Sequence, residues 1–236
     1  MKSPLDSGEF REFESVASTQ EIAADYLKRG ETVGVVIASH QTKGRGRFDR
    51  EWISEKDTSL TMSLIFRDYA DHPKPHLIGM GVAVAAAGAI HAVLQWPNDL
   101  VLGHHKAGGI LTELLPDQDG RLVPVVGVGI NLNQKTFPDA IKATATSVHL
   151  YHGGLYEPTA IAQTIIQRLA PLPEPSSWAE LSPIWHLFDH TPGKKYKLLD
   201  SKEATALGIG PEGQLICSVD GETTTVLAAD AILGRG

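Results

Sequence analysis

Gly44-Arg45-Gly46-Arg47-Phe48-Asp49-Arg50-Glu51-Trp52 sets three arginines and two glycines into nine positions between two stretches that read as strands. Arginine presents a planar fork of donors that stays charged at physiological pH, and glycine lets the main chain bend and bring its own N–H groups toward a ligand. The pattern describes a loop for an anion, and phosphate is the obvious guest. A solvated basic turn would have the same composition, so the reading depends on the rest of the chain.

Upstream of the loop, Thr32 to Ala38 is β-branched and nearly all apolar, a buried strand that delivers Gln41 and the arginines. Before it, Ser18-Thr19-Gln20-Glu21 has capping-box spacing, and Ile22, Ala23, Tyr26 and Leu27 share one face of the helix that follows. Gly30 is placed to end that helix in the left-handed conformation. Downstream, Ser59 to Phe66 alternates polar and apolar residues, as a half-buried strand does.

Leu77 to Leu94 reads as a long helix. The uncharged run to Trp96 is long enough to cross a bilayer, but it is rich in Ala and Gly and contains His91 and Gln95, which favours a buried helix. Gln95-Trp96-Pro97-Asn98-Asp99 breaks it, because proline cannot continue a helix. Leu100 to Leu102 and Gly109 to Leu115 flank a turn at Gly103 to His105, so Lys106 lies near a hairpin end and Asp99 near the start of the facing strand. After a second turn at Asp119-Gly120, the strand Val123 to Asn133 carries Gly127 and Gly129 on one face, where missing side chains leave room for a ligand.

A helix over Thr159 to Leu169 follows, then a connector stiffened by Pro171, Pro173 and Pro175, and a shorter helix over Trp178 to Phe188. Beyond Pro192-Gly193 the texture changes to four short strand-like runs, Tyr196 to Leu199, Thr205 to Ile209, Leu215 to Val219 and Thr223 to Leu227. These predict a small β-barrel or meander. The expected division is residues 1–188 and residues 189–236.

Composition narrows the function. Of 236 residues, 42% are apolar and 21% charged, as in a folded globular protein, and the net charge of -7 argues against general affinity for nucleic acid. Cys217 is the single cysteine, so no intrachain disulfide forms, and no Cys/His spacing matches a zinc site. His104 and His105 read as solvated turn residues. Met1 to Phe10 has no signal-peptide core, and a cytoplasmic protein is expected. No Gly-Lys-Ser/Thr follows the glycine-rich loop, which excludes a P-loop.

Taken in order, Gly44-Arg45-Gly46-Arg47 with Arg50 and Trp52, Trp96-Pro97-Asn98-Asp99-Leu100, Lys106 with Gly108-Gly109-Ile110-Leu111 and Glu113, and Gly127-Val128-Gly129-Ile130-Asn131 resemble the biotin protein ligases. The likeness runs from about Ser18 to Val148, and the C-terminal texture suits the family's small SH3-like domain. The implied fold is α+β, a mixed sheet with helices like that of class II aminoacyl-tRNA synthetases and lipoate ligases. The implied activity is two-step acyl transfer. Biotin and ATP with Mg2+ give biotinyl-5'-AMP, and a lysine of a biotin carboxyl carrier protein or domain then takes the biotin.

By family position, Lys106, Arg47 and Arg45 are the catalytic cations that screen the biotin carboxylate from the α-phosphate. The resemblance further implies that Ser18, Thr19, Gln41, Gly44, Arg45, Lys106, Gly109, Gly127 and Gly129 contact biotin. Arg47, Arg50, Trp52, Asn98, Asp99 and Asn131 fall at the nucleotide end, with Mg2+ near Asp99 and no dedicated protein cage for it. Gln95 stands where a lysine is usual, Asp49 replaces a usual glycine and Phe48 a usual small or basic residue, which bears on how the loop closes.

The family's repressors carry a helix-turn-helix domain ahead of the catalytic region; too few residues precede Ser18 for one, so no DNA partner is expected. Nor is a membrane partner expected, and a homodimer is an open possibility. The rival readings are a lipoate or octanoate ligase or transferase on the same scaffold, and a sensor that binds biotin or adenylate without transfer. Retention of Arg47 and Lys106 favours the enzyme.

Overall fold

The computed structural model describes residues 1–198, 202–227 and 234–235. The expected strand end at Leu199 and the side chain of Asp49 lie outside that description. One mixed sheet contains β1 (Glu9–Val16), β2 (Val33–Gln41), β3 (Ser59–Ile65), β4 (Val93–Gln95), β5 (Asp99–Leu102), β6 (His105–Pro116) and β7 (Leu122–Asn131). Their order is β1-β2-β3-β7-β6-β5-β4, with β1 parallel to β2 and the other neighbours antiparallel. The helices are α1 (Thr19–Lys28), α2 (Pro75–Ile90), α3 (Val148–His152), α4 (Pro158–Leu169) and α5 (Trp178–Trp185).

Strand alternation sorts the side chains onto two faces. Leu60, Met62 and Leu64 of β3 and Val126, Val128 and Ile130 of β7 join the main core with residues of α2, α4 and α5. On the other face, Ala23 and Leu27 of α1 cluster with Val36, Ile65, Val123 and Val125. Ser59, Thr61 and Ser63 point to this second face and are also buried, so β3 is covered on both sides rather than half-buried. The polar side chains tolerate burial because they are hydrogen-bonded: Thr61 Oγ1 donates to Ala38 O at 2.6 Å and Ser63 Oγ to Thr19 Oγ1 at 2.8 Å.

Two helix boundaries differ from expectation. The long helix stops at Ile90, where His91 takes a left-handed φ of 53°, and Val93–Gln95 becomes the edge strand β4. An unbroken apolar run does not separate helix from buried strand by periodicity, which is why the sequence suggested a helix to Leu94. Helix α5 ends at Trp185 instead of Phe188. Among the described residues no helix is long and apolar enough to cross a membrane. At α1, Gly30 has the expected left-handed φ of 67°, but the Ser18 side chain makes no capping bond; the start is held by Ser18 O accepting from Ile22 N at 3.1 Å.

The C-terminal strands β8 (Lys195–Lys197), β9 (Glu203–Ile209), β10 (Leu215–Val219), β11 (Glu222–Val226) and β12 (Gly234–Arg235) form an antiparallel sheet in the order β11-β10-β9-β8-β12. Its inward residues, including Tyr196, Ala206, Ile209 and Leu215, merge with the main core. Near the expected division, Asp189 bridges to Leu94 of β4, so the edge of the large sheet leads into the small one.

Candidate active site

A cleft of about 480 Å³ opens on the face of the large sheet that also carries α1. Ser18, Thr19, Gln41, Arg45, Arg47, Arg50, Trp52, Asn98, Asp99, Lys106, Gly109, Gly127, Gly129 and Asn131 all line it. Of the residues expected at the site, Gly44 alone stands off the wall. It is buried behind the loop, its carbonyl accepts from Trp52 N at 2.9 Å, and a Cβ there would lie 2.5 Å from Trp52 O. Gly44 therefore closes the base of the arginine loop.

The loop is a miniature hairpin. Arg45 bridges to Glu51, and Gly46 N donates to Arg50 O at 2.7 Å. At the tip Phe48 takes a left-handed φ of 57° and is half exposed, with the Arg47 guanidinium 4.8 Å from its ring centroid. Burial pushes the Arg47 guanidinium below its usual pKa; Asp99 opposes that shift and Arg50 adds to it. An arginine starts so far above neutrality that Arg47 keeps its charge.

A β-bulge aims Lys106 into the cleft. Leu100 pairs with Gly108 but Val101 pairs with Lys106, so Ala107 is the extra residue on β6. Simple alternation would put positions 106 and 109, three apart, on opposite faces; the bulge brings them to the same one. A Cβ on Gly109 would sit 3.4 Å from Lys106 Nζ. That amine is 2.6 Å from Asp99 Oδ1. Beside this pair Asn98 is held rigidly, its Nδ2 donating to Ile110 O at 2.7 Å and its carbonyl accepting from Ile110 N at 2.9 Å.

The opposite end is lined by uncharged hydrogen-bonding groups, with the Arg45–Glu113 pair at its border. Gln41 Oε1 accepts from Thr19 N at 2.7 Å and from Thr19 Oγ1 at 3.1 Å, while Ser63 donates to the Thr19 hydroxyl. Gln20 is 5% exposed and donates through Nε2 to Glu113 Oε2 at 2.9 Å; its Oε1 is buried without a partner. Because Nε2 faces two acceptors, Glu113 and the Leu111 carbonyl, the amide orientation is fixed and Oε1 remains an acceptor. Glu113 also reaches Arg45 Nη2 at 3.6 Å, tying the loop to β6.

Gly127 and Gly129 behave differently. A Cβ at Gly127 would touch the Gln20 amide at 3.4 Å, whereas one at Gly129 would fall 2.7 Å from the Trp52 indole. The space expected for a ligand above Gly129 is thus taken by Trp52, whose Nε1 is buried without a partner. Asn131 lies deeper, its Nδ2 donating to Thr146 O at 3.0 Å and its Oδ1 accepting from Gln134 Nε2 at 3.3 Å.

Gln20, Glu113, Gln134 and Tyr196 were not among the expected site residues. Glu113 stood in the motif with no role, and Gln20 directly follows the Ser18-Thr19 pair; both signals were present. Tyr196 arrives from the other sheet through long-range packing that no local pattern reports. Among the described residues no three His, Cys, Asp or Glu side chains come together to hold a metal. Asp99 is the carboxylate beside Lys106, which suits an ion that keeps most of its ligands from water and nucleotide phosphates.

Residues 12–131 match the model of the Biotin/lipoate A/B protein ligase family, and the chain belongs to that family. The bifunctional ligase/repressor BirA of Bacillus spizizenii is 30% identical over 234 residues, which cover 93% of this chain and 72% of that protein. The biotin--[acetyl-CoA-carboxylase] ligase of Mycobacterium tuberculosis is 26% identical over 94% of this chain and 89% of its own length. Among solved structures, the biotin protein ligase of Aquifex aeolicus in complex with biotin and ATP superposes with a TM-score of 0.77 at 24% identity, covering 97% of this chain and 99% of that one. That likeness bears out the expected α+β fold with its small C-terminal sheet.

Proposed function

We propose that the protein is a biotin protein ligase that activates biotin with ATP and passes it to a lysine on the biotin carrier of a carboxylase. One observation carries the reading: a single cleft joins a neutral, hydrogen-bonding end at Thr19, Gln20 and Gln41 to a cationic end at Arg47 and Lys106. The neutral end suits the ureido ring of biotin, whose N–H groups and carbonyl can meet an amide and hydroxyls. Lipoate and octanoate bring hydrocarbon or a dithiolane to that end and would leave its buried acceptors without donors, which penalises them.

In the first step a biotin carboxylate oxygen attacks the α-phosphorus of ATP, the bond to the bridging oxygen breaks and pyrophosphate leaves. Both reactants are anions, so a cation placed where they meet stabilises the transition state more than the ground state and lowers the barrier. Lys106 is the residue for this role, beside the carboxylate and α-phosphate, with Arg47 on the adenylate and Arg45 on the biotin carboxylate side. Magnesium enters with ATP, Asp99 being the carboxylate at that end. In the second step the acceptor amine attacks the acyl carbon, AMP departs and the amine loses a proton. Residues 1–188 form the ligand-binding unit in this reading and residues 189–236 the smaller C-terminal domain.

The experiment is exchange of labelled pyrophosphate into ATP with purified protein and magnesium, in the presence of biotin, lipoate or octanoate. Exchange with biotin alone is expected. Exchange with lipoate or octanoate alone would move the protein to the sister activity, and none with any acid would leave it a binding protein.

A further inference from the structure

All three polar groups of Trp96 are taken by the C-terminal part of the chain. Its main-chain N–H donates to Thr191 Oγ1 at 3.0 Å, its indole N–H donates to Gly213 O at 2.8 Å, and its carbonyl accepts from the Tyr196 hydroxyl at 3.0 Å. The Trp96 and Tyr196 rings meet edge to face, 6.0 Å between centroids, and both residues are 2% exposed. Tyr196 also lines the cleft. Two and three residues beyond Trp96 come Asn98, locked to Ile110, and Asp99, paired with Lys106.

We infer that the small C-terminal sheet positions the nucleotide end of the cleft through Trp96, with Tyr196 as the positioning residue. The Trp96–Asp99 turn is gripped on both sides: Ile110 of β6 holds Asn98, and Thr191, Tyr196 and Gly213 hold Trp96. Asp99 sets where the Lys106 amine rests, so a shift of the turn shifts the amine. The neutral end, built on α1, β2 and β3, shares none of these three bonds. The C-terminal sheet therefore acts chiefly on ATP and reaches biotin only at its carboxylate, through Lys106.

The inference rests on the ligase reading and is tested by Tyr196→Phe, which keeps the ring and deletes the hydroxyl. Loss of one buried hydrogen bond corresponds to about a fivefold to tenfold effect. We expect the KM for ATP in biotin-dependent pyrophosphate exchange to rise by about that factor. Biotin affinity, measured calorimetrically without ATP, stays within about twofold of native, since no lost bond lies at its ureido end. A merely structural tyrosine would lower the melting temperature and leave the ATP KM unchanged, or weaken both ligands alike; either result overturns the inference. Should Tyr196→Phe fold poorly, Thr191→Val removes another of the three bonds and carries the same expectation. Failure of native protein to exchange at all would instead refute the ligase reading.

Discussion

The two ends of the cleft are prepared in different ways. At the neutral end Thr19, Gln41 and Ser63 already bond to one another, and Gln20 is clamped by Glu113. At the cationic end Lys106 sits on Asp99, and toward the other end Arg45 sits on Glu113, so positive charge is matched by a carboxylate on the cleft wall and one beside it. A ligand arriving at the first end meets fixed dipoles; one arriving at the second exchanges one ionic partner for another. Preorganised dipoles select shape and hydrogen-bond pattern, while exchangeable ion pairs favour the more highly charged partner.

The sharpest way to break this contrast is Lys106→Ala. Adenylate formation should fall about 10²- to 10³-fold, the scale for removing a charge that acts on the transition state. Biotin binding at the neutral end should change far less, and single-turnover adenylation beside calorimetric biotin titration would show it; near-native turnover would remove Lys106 from its role. A second comparison uses the two glycines. Gly129→Ala drives a Cβ into the Trp52 indole and should destabilise by about 1–3 kcal/mol, as overpacking does, with weaker binding of both ligands. Gly127→Ala meets only an ordinary contact with Gln20 and should stay close to native; thermal melts of the pair decide whether Trp52 fills the floor of the cleft. The mildest is Glu113→Gln, which keeps a hydrogen-bond acceptor for Gln20 and weakens the hold on Arg45. A rise of about twofold to fivefold in the biotin dissociation constant is expected from a part-exposed ion pair. No rise would mean that Glu113 does not order the loop for biotin.

Much of the cleft was legible because its residues sit in short ordered motifs. Arg45, Arg47, Asn98, Asp99 and Lys106 all reach the wall that their spacing suggested. The alternation of β3 was also right, yet its polar face proved buried, since a sequence shows which residues share a face but not what covers it. The end of the long helix was blurred because Leu94 is as apolar as the residues before it, and only pairing with β5 makes it a strand. The Trp52 contact with Gly129 and the Tyr196 bond to Trp96 join residues 77 or more positions apart, beyond the reach of periodicity or capping rules.

The extra residue at Ala107 turns the β5–β6 hairpin into a counting device. Plain alternation over the three positions from Lys106 to Gly109 would send the lysine amine to the α2 face of the sheet, with every side chain around it intact, whereas deleting the extra residue would leave a two-residue spacing that keeps it in the cleft. Substitutions along this hairpin grade its chemistry; the bulge decides which face receives the amine. For this fold the bulge at Ala107 is as much a part of the proposed catalytic apparatus as the amine itself.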